Sequence, residues 1–219
     1  MTVYKEIRRN AEINMLINKG NSVLKVLGFT DHSVKHAAKV AARAGWILKS
    51  LDYDKHHIEL ARIAGYMHDI GNCINRNDHA HSGALLAYQI LKGFDLSPED
   101  IIIITSAIGH HDEKTGTAID PVSAALILAD KTDVRRNRVQ NPVKANFDIH
   151  DRVNYAALSS KLEINKEKKI VQMNLELDDN ICSLMDYFEI FLERMIMCKR
   201  ASEVLGCRFK LVANGSKLC

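Results

Sequence analysis

The chain has 219 residues, 47% of them hydrophobic and 26% charged, with only 3 Pro and 11 Gly; this supports a packed core and excludes the disordered and fibrous classes. A formal net charge of +3 is too small for a general electrostatic footprint on a long nucleic acid, so any basic site must be local. The length allows one large domain, or one ordinary domain with a smaller appendage, and excludes a third independent unit.

Apolar spacing is helical from residue 1 to about 158. Thr30 and Asp31 offer caps for a helix through VKHAAKVAARAGWILKSL, whose many alanines suit tight packing. A second helix follows Asp54 through IELARIAGYMHDI and breaks near Gly71; a third covers roughly His79 to Leu91. Ser97-Pro98-Glu99-Asp100 combines an N-cap, Pro at the first helical position and acids in the first turn, so IIIITSAIGHH continues as a helix. Another begins at Asp120-Pro121 and carries VSAALILADKTDV.

Beyond about residue 158 the pattern changes. Residues 161–165 and 170–177 alternate apolar and polar around the charged turn NKEKK, a hairpin signal. Residues 180–205 return to helical spacing, and CRFKLVANG forms one more strand before an Asn-Gly turn. The expected fold is mainly α: a helical domain over residues 1–158 followed by a small α+β appendage over 159–219. The last helix carries Tyr187, Phe188, Phe191, Met195 and Met197, more apolar bulk than a three-strand sheet covers. A homodimer through the appendage and packing onto the helical domain of the same chain are equally good ways to bury it.

Five cysteines, at 73, 182, 198, 207 and 219, form no CxxC pair. An odd count without that spacing argues for free thiols in a reducing cytoplasm rather than a disulfide framework or a zinc knuckle. MTVYKEIRRN has charges where a secretory signal needs an apolar run, and no stretch is long enough to span a membrane. A cytoplasmic protein without a membrane partner is expected.

Histidine is the informative residue: nine of the ten lie between residues 32 and 111. The His56-His57 pair reads as a solvated first turn. His68-Asp69 and His110-His111 each close an apolar helix, and Asp130 stands inside the apolar run AALILADK. A lone ionisable group is costly to bury, so three helices deliver ligand-type side chains toward a common charge partner. Imidazole mixed with carboxylate suits Fe, Mn, Zn, Co or Ni better than Ca, which prefers oxygen alone.

His32, then His68-Asp69 in GYMHDIGN, then Asp130 in LILADKTD together resemble the H…HD…D signature of the HD superfamily of metal-dependent phosphohydrolases, over roughly residues 30 to 140. DHAHSGALLA and GHHDEKTG resemble the segments in which binuclear members place further histidines, here His79, His110 and His111. The resemblance implies two divalent ions: one held by His32, His68, Asp69 and Asp130, and one by Asp69, His79, His110 and His111, with Asp69 bridging. The cyclic di-GMP phosphodiesterase branch carries Lys after HDIG and a Gly-Tyr-Pro triplet; this chain has Asn72 and TGTAIDP, which disfavours that substrate. His36, one turn from His32, is expected to pack or to support a neighbouring ligand rather than to ligate. His81 points away from His79, Asp133 either orients a ligand or pairs with an arginine, and His150 is left open.

Family membership of this kind implies hydrolysis of a phosphate ester or anhydride of a small molecule, a nucleotide or dinucleotide, by attack of a metal-bound hydroxide. Asp69, Asp130 and Lys131 form the expected catalytic group. Lys131, Arg135, Arg136 and Arg138 are the only dense basic cluster; they read either as phosphate ligands or as a solvated helix end. A non-catalytic metal or nucleotide sensor and a di-iron oxygenase are the competing classes.

Overall fold

Capping chemistry decides where the helices begin. In the computed structural model, which describes residues 2–141, 143 and 147–218, the side chains of Asn10, Ser33, Asp54, Ser97, Asp120 and Asp148 each accept a backbone N–H of the first turn that follows. The first eight helices are α1 (Val3–Arg9), α2 (Ala11–Val26), α3 (Val34–Ser50), α4 (Lys55–Met67), α5 (His79–Leu91), α6 (Pro98–Gly109), α7 (Pro121–Lys131) and α8 (Ile149–Ala156). The starts at Asp54, Ser97 and Asp120 fall where the sequence puts them. The helix expected from Thr30 and Asp31 instead begins at Val34, because Ser33 supplies the cap and its hydroxyl also donates to Asp31 Oδ2 at 2.9 Å. His32 therefore precedes α3, and His36 lies in its first turn.

After α8 the chain forms β1 (Ala157–Asn165), β2 (Ile170–Leu177), α9 (Leu184–Val204), β3 (Arg208–Ala213) and β4 (Ser216–Lys217). The four strands lie in the order β1-β2-β3-β4; β1 and β2 are an antiparallel hairpin, β2 and β3 are parallel through α9, and β3 and β4 are antiparallel. Asn214 and Gly215, at φ +46° and +79°, make the tight turn that their sequence announces, and the two-residue β4 beyond it was not foreseen. Tyr187, Phe191, Met195 and Met197 of α9 are buried in the same apolar cluster as Ala125 and Leu128 of α7, with Phe188 packed at its edge. Those four α9 side chains are thus buried within one chain, whereas Met185, Leu192 and Ile196 of the same helix are exposed. Cys73, Cys182, Cys198 and Cys207 are free thiols; Cys219 lies outside the described residues. No helix among the described residues is long and apolar enough to cross a membrane.

One close approach fixes the spacing of two helices. Between α4 and α5 the chain makes a 3-10 turn, Ile70–Cys73, and a Cβ on Gly71 would lie 2.0 Å from the carbonyl oxygen of His79 and 2.5 Å from the Gly83 nitrogen. Both are backbone atoms and cannot swing away. Gly71→Ala is expected to destabilise the protein by about 2–3 kcal/mol, read as a lowered urea midpoint; an unchanged midpoint would mean that the turn gives way freely.

Candidate metal centre

Helix ends supply the side chains of the centre. His68 is the C-cap of α4 and Asp69 follows it; His79 opens α5; His111 lies two residues past α6; Asp130 is in the last turn of α7; His36 is in the first turn of α3. His36, His68, Asp69, His79 and His111 are all buried. Asp69 faces two ways. Its Oδ2 lies 3.0 Å from His68 Nε2 and 3.7 Å from His36 Nε2, whereas its Oδ1 lies 3.6 Å from His79 Nε2 and 4.0 Å from His111 Nε2. Asp130 Oδ1 is 3.3 Å from His36 Nε2 and 3.6 Å from His68 Nε2. The donor atoms of His36, His68 and Asp130 form one group, and those of His68, Asp69 and His111 a second, each within 4.8 Å of one another.

The backbone sets the orientation of the rings. Nδ1 of His32 donates to the Thr30 carbonyl at 2.6 Å, that of His68 to Gly65 at 3.0 Å, that of His79 to Arg76 at 3.1 Å and that of His111 to Ile108 at 2.6 Å. A carbonyl oxygen can only accept, so hydrogen bonding assigns the proton to Nδ1 and leaves each neutral ring with a lone pair on Nε2. His36 does the same through a side chain: its Nδ1 donates to Asp133 Oδ2 at 2.9 Å. Asp133 is itself fixed by Lys39 at 2.8 Å and by both nitrogens of the Arg135 fork. This is the arrangement by which a carboxylate or carbonyl turns an imidazole toward a metal.

The inward atoms lack partners. His36 Nε2, His68 Nε2 and Asp69 Oδ2 are buried without a hydrogen bond of acceptable geometry, and the Nε2 atoms of His79 and His111 stand 3.1 Å apart, with Arg76 Nη1 at 3.3 Å from the former. Two lone pairs at that distance repel unless a positive charge lies beside them. The electrostatics point the same way. Burial opposes a charge on His68, yet the carboxylates of Asp69 and Asp130 outweigh it and push the ring up to about 10. Burial likewise opposes ionisation of Asp69 and Asp130, but His68 beside the first, and Lys131, His36 and His68 around the second, hold both well below the usual carboxylate range. Desolvation drives His32 and His111 well below the ordinary imidazole value, so those rings stay neutral, as ligands must be. The pocket therefore wants a cation where the Nε2 atoms and carboxylates meet, and this donor set fits a first-row divalent ion.

Of the residues singled out in the sequence, His68, Asp69, His79, His111 and Asp130 come together. His32 lines the same cavity but belongs to neither donor group. His36 occupies the place next to Asp130 and His68 that sequence reasoning gave to His32. His110 is not among the cavity residues. Lys131 is buried between Asp130, at 2.9 Å, and Glu113, at 3.0 Å. Arg138 is buried with its Nε on the Asp31 carbonyl and an Nη on the Asp133 carbonyl, and it lines the cavity. Arg135 is engaged by Asp133; Arg136 binds the Tyr155 carbonyl and approaches Asp178 at 3.6 Å, and neither lines the cavity. His56, His57 and His81 pair with Asp100, Asp54 and Asp78, and His150 is exposed. Sequence reasoning missed Arg76, Glu113 and Arg194, which approach from three separate segments. The signal for His36 was present: it shares a stripe of α3 with Val40 and Ile47, both fully buried, so a histidine there is a core histidine.

The fold and the site define a class, a helical domain that gathers imidazoles and carboxylates from its helix ends. Residues 33–135 match the family model for the HD domain. The chain is 26% identical over 207 residues to uncharacterized protein MJ1020 of Methanocaldococcus jannaschii, across 81% of this chain and 76% of that one. It is also 26% identical over 173 residues to ribonuclease Y of Oceanobacillus iheyensis, across 72% of this chain and 31% of the relative. For ribonuclease Y of Helicobacter pylori the identity is 26% over 213 residues, across 81% and 37%. The chain thus spans about a third of the length of these ribonuclease Y relatives. A crystal structure described as a predicted HD superfamily hydrolase from an uncultured Thermotogales bacterium has 22% identity and a TM-score of 0.43, covering 62% of this chain and 75% of that one.

Proposed function

We propose that the chain is a metal-dependent phosphohydrolase that cleaves a phosphate ester or anhydride of a small molecule, a nucleotide or dinucleotide. The observation that carries this reading is the two-faced Asp69, each oxygen of which meets its own set of inward Nε2 atoms. On it, His36, His68, Asp69 and Asp130 hold one divalent ion, with His32 beside them, and Asp69, His79 and His111 hold a second. Bound there, such ions supply a water activated near neutral pH and neutralise charge on phosphoryl oxygens. The chain's own residues do the rest. Asp133 keeps the His36 ring turned inward, Asn72 donates to Asp69 Oδ1 at 2.8 Å, and Lys131 and Arg138 offer their charges to the phosphoryl group. Among the described residues Thr30 is the only hydroxyl side chain lining the cavity, and no cysteine does, which disfavours a nucleophile from the protein. The cavity volume of about 20 Å³ suits ions and water at the reacting centre.

The named ribonucleases among the relatives favour a second reading, in which an RNA phosphodiester is the substrate. Metal analysis of native-purified protein, with a hydrolysis screen over mononucleotides, dinucleotides, sugar phosphates and a short RNA, separates the two. Cleavage of the small phosphates supports the first reading, and cleavage of the RNA alone replaces it with the second. A fully metallated protein that cleaves none of them turns the assignment to a sensor or an oxidase.

The arginines divide by geometry. Arg138→Gln is expected to raise KM about tenfold with kcat little changed, because a uniform phosphate contact is lost. Arg136→Ala, whose partners lie elsewhere, is expected to leave both constants unchanged. Equal effects of the two substitutions in steady-state kinetics would contradict this division.

A further inference from the structure

Four cations line the cavity: Arg76, Lys131, Arg138 and Arg194. Arg194 lies far beyond the HD match, on α9, and is the one lining residue contributed by the C-terminal segment. Two groups hold it in place. Its guanidinium carbon stands 4.3 Å from the centroid of the Phe191 ring, and its Nε is ion-paired with Glu113 Oε1. The other oxygen of Glu113 takes Lys131 Nζ at 3.0 Å. One partly buried carboxylate in the turn after α6 thus clamps two cations from α7 and α9 at the edge of the cavity.

The charges do not balance. Lys131 is shared between Glu113 and Asp130, while Arg138 is bound by two carbonyls and stands 4.0 Å from Asp133 Oδ2. Among the described residues that line the cavity, four are cations and two, Asp69 and Asp130, are carboxylates. Lys131 and Arg138 are buried and the Arg194 side chain is 26% exposed, so an anion entering the cavity meets an excess of positive charge that it can offset. Only the Nε of Arg194 is bound to protein among the described residues, which leaves the rest of a planar donor fork for a tetrahedral oxyanion.

We propose that Arg194 binds the phosphoryl group of the substrate, so that the C-terminal helix is part of the site; the identity of the anion rests on the phosphohydrolase reading above. Glu113 is then a positioning residue that aims Arg194 and Lys131 together.

Inorganic phosphate is the probe, titrated calorimetrically into the metal-loaded full chain and into its Arg194→Gln and Arg194→Lys variants. The wild type is expected to bind phosphate. Arg194→Gln is expected to weaken binding tenfold to a hundredfold, roughly the worth of a charge-assisted contact, with metal content unchanged. Arg194→Lys, which keeps the ion pair but lacks the fork, falls between. A lowered melting temperature in Arg194→Gln with wild-type phosphate affinity would show that Arg194 only neutralises Glu113, and would overturn the proposal. So would a wild type that binds no phosphate. If Arg194→Gln fails to fold by far-UV circular dichroism, Arg194→Lys decides, and wild-type affinity in it overturns the proposal. Arg194-dependent phosphate binding without hydrolysis of any phosphorylated compound would remove the phosphohydrolase reading and leave this inference standing.

Discussion

Asp130→Ala is expected to lower kcat/KM by more than a hundredfold, since even residues that merely support a metal ligand cost about 10-fold to 100-fold when changed. Asp130 stands at the junction of three cations or potential cations. Its Oδ1 faces His36 and His68, and its Oδ2 takes Lys131 at 2.9 Å. Burial works against its ionisation, but Lys131 and the two imidazoles hold its carboxyl well below the usual carboxylate range, so it offers a negative charge at neutral pH. Alanine removes one donor and leaves Lys131 to Glu113 alone. The comparison requires the substrate found in the screen, with metal content measured on the same sample. An Asp130→Ala protein with a tenth or more of wild-type kcat/KM would take this residue out of the reacting centre.

His68→Ala is expected to lose metal and about 3–5 kcal/mol of stability, the cost of stranding one half of a buried charged group. His68 is fully buried, and its removal leaves Asp69 and Asp130 facing each other without the charge between them. Calorimetric melting with and without a chelator checks this, because chelated wild type should move toward the variant. A pH signature accompanies it. In the chelated protein the folded-state value of His68 is raised from 6.5 to about 10, so its contribution is fully present below about 6.5 and is lost as pH rises through about 10. His68→Ala should lack that decline. Unchanged metal content in His68→Ala would end the metal reading in this form.

Element starts were legible wherever the cap and the following proline left one choice, as at Ser97-Pro98 and Asp120-Pro121. At the start of α3 three capping residue types, Thr30, Asp31 and Ser33, stand close together, and local chemistry does not rank them. Packing resolves the ambiguity, since Val34–Ser50 turns His36 and Val40 into the core. The choice of His32 as a ligand and of His36 as its support comes instead from the resemblance to the H…HD…D signature. The pairs His68-Asp69 and His110-His111 were recognisable as polar groups closing apolar helices, but of the second pair only His111 lines the cavity, its Nδ1 bound to the Ile108 carbonyl. Glu113 and Arg194 had no local signal. They are far apart in the chain and meet through the packing of α9 on α7, which no periodicity records.

Each imidazole of the centre is held by the turn that carries it, except His36, whose holder lies 97 residues away at Asp133. Orientation is therefore settled almost within single helices, while convergence depends on how α3, α4, α5, α6 and α7 are stacked. An expanded state with intact helices would keep its rings correctly protonated and still scatter the Nε2 atoms too widely to share an ion. The centre is a gauge of tertiary packing and is blind to helix content, so metal retention would separate the native fold from a molten globule that far-UV circular dichroism cannot distinguish from it.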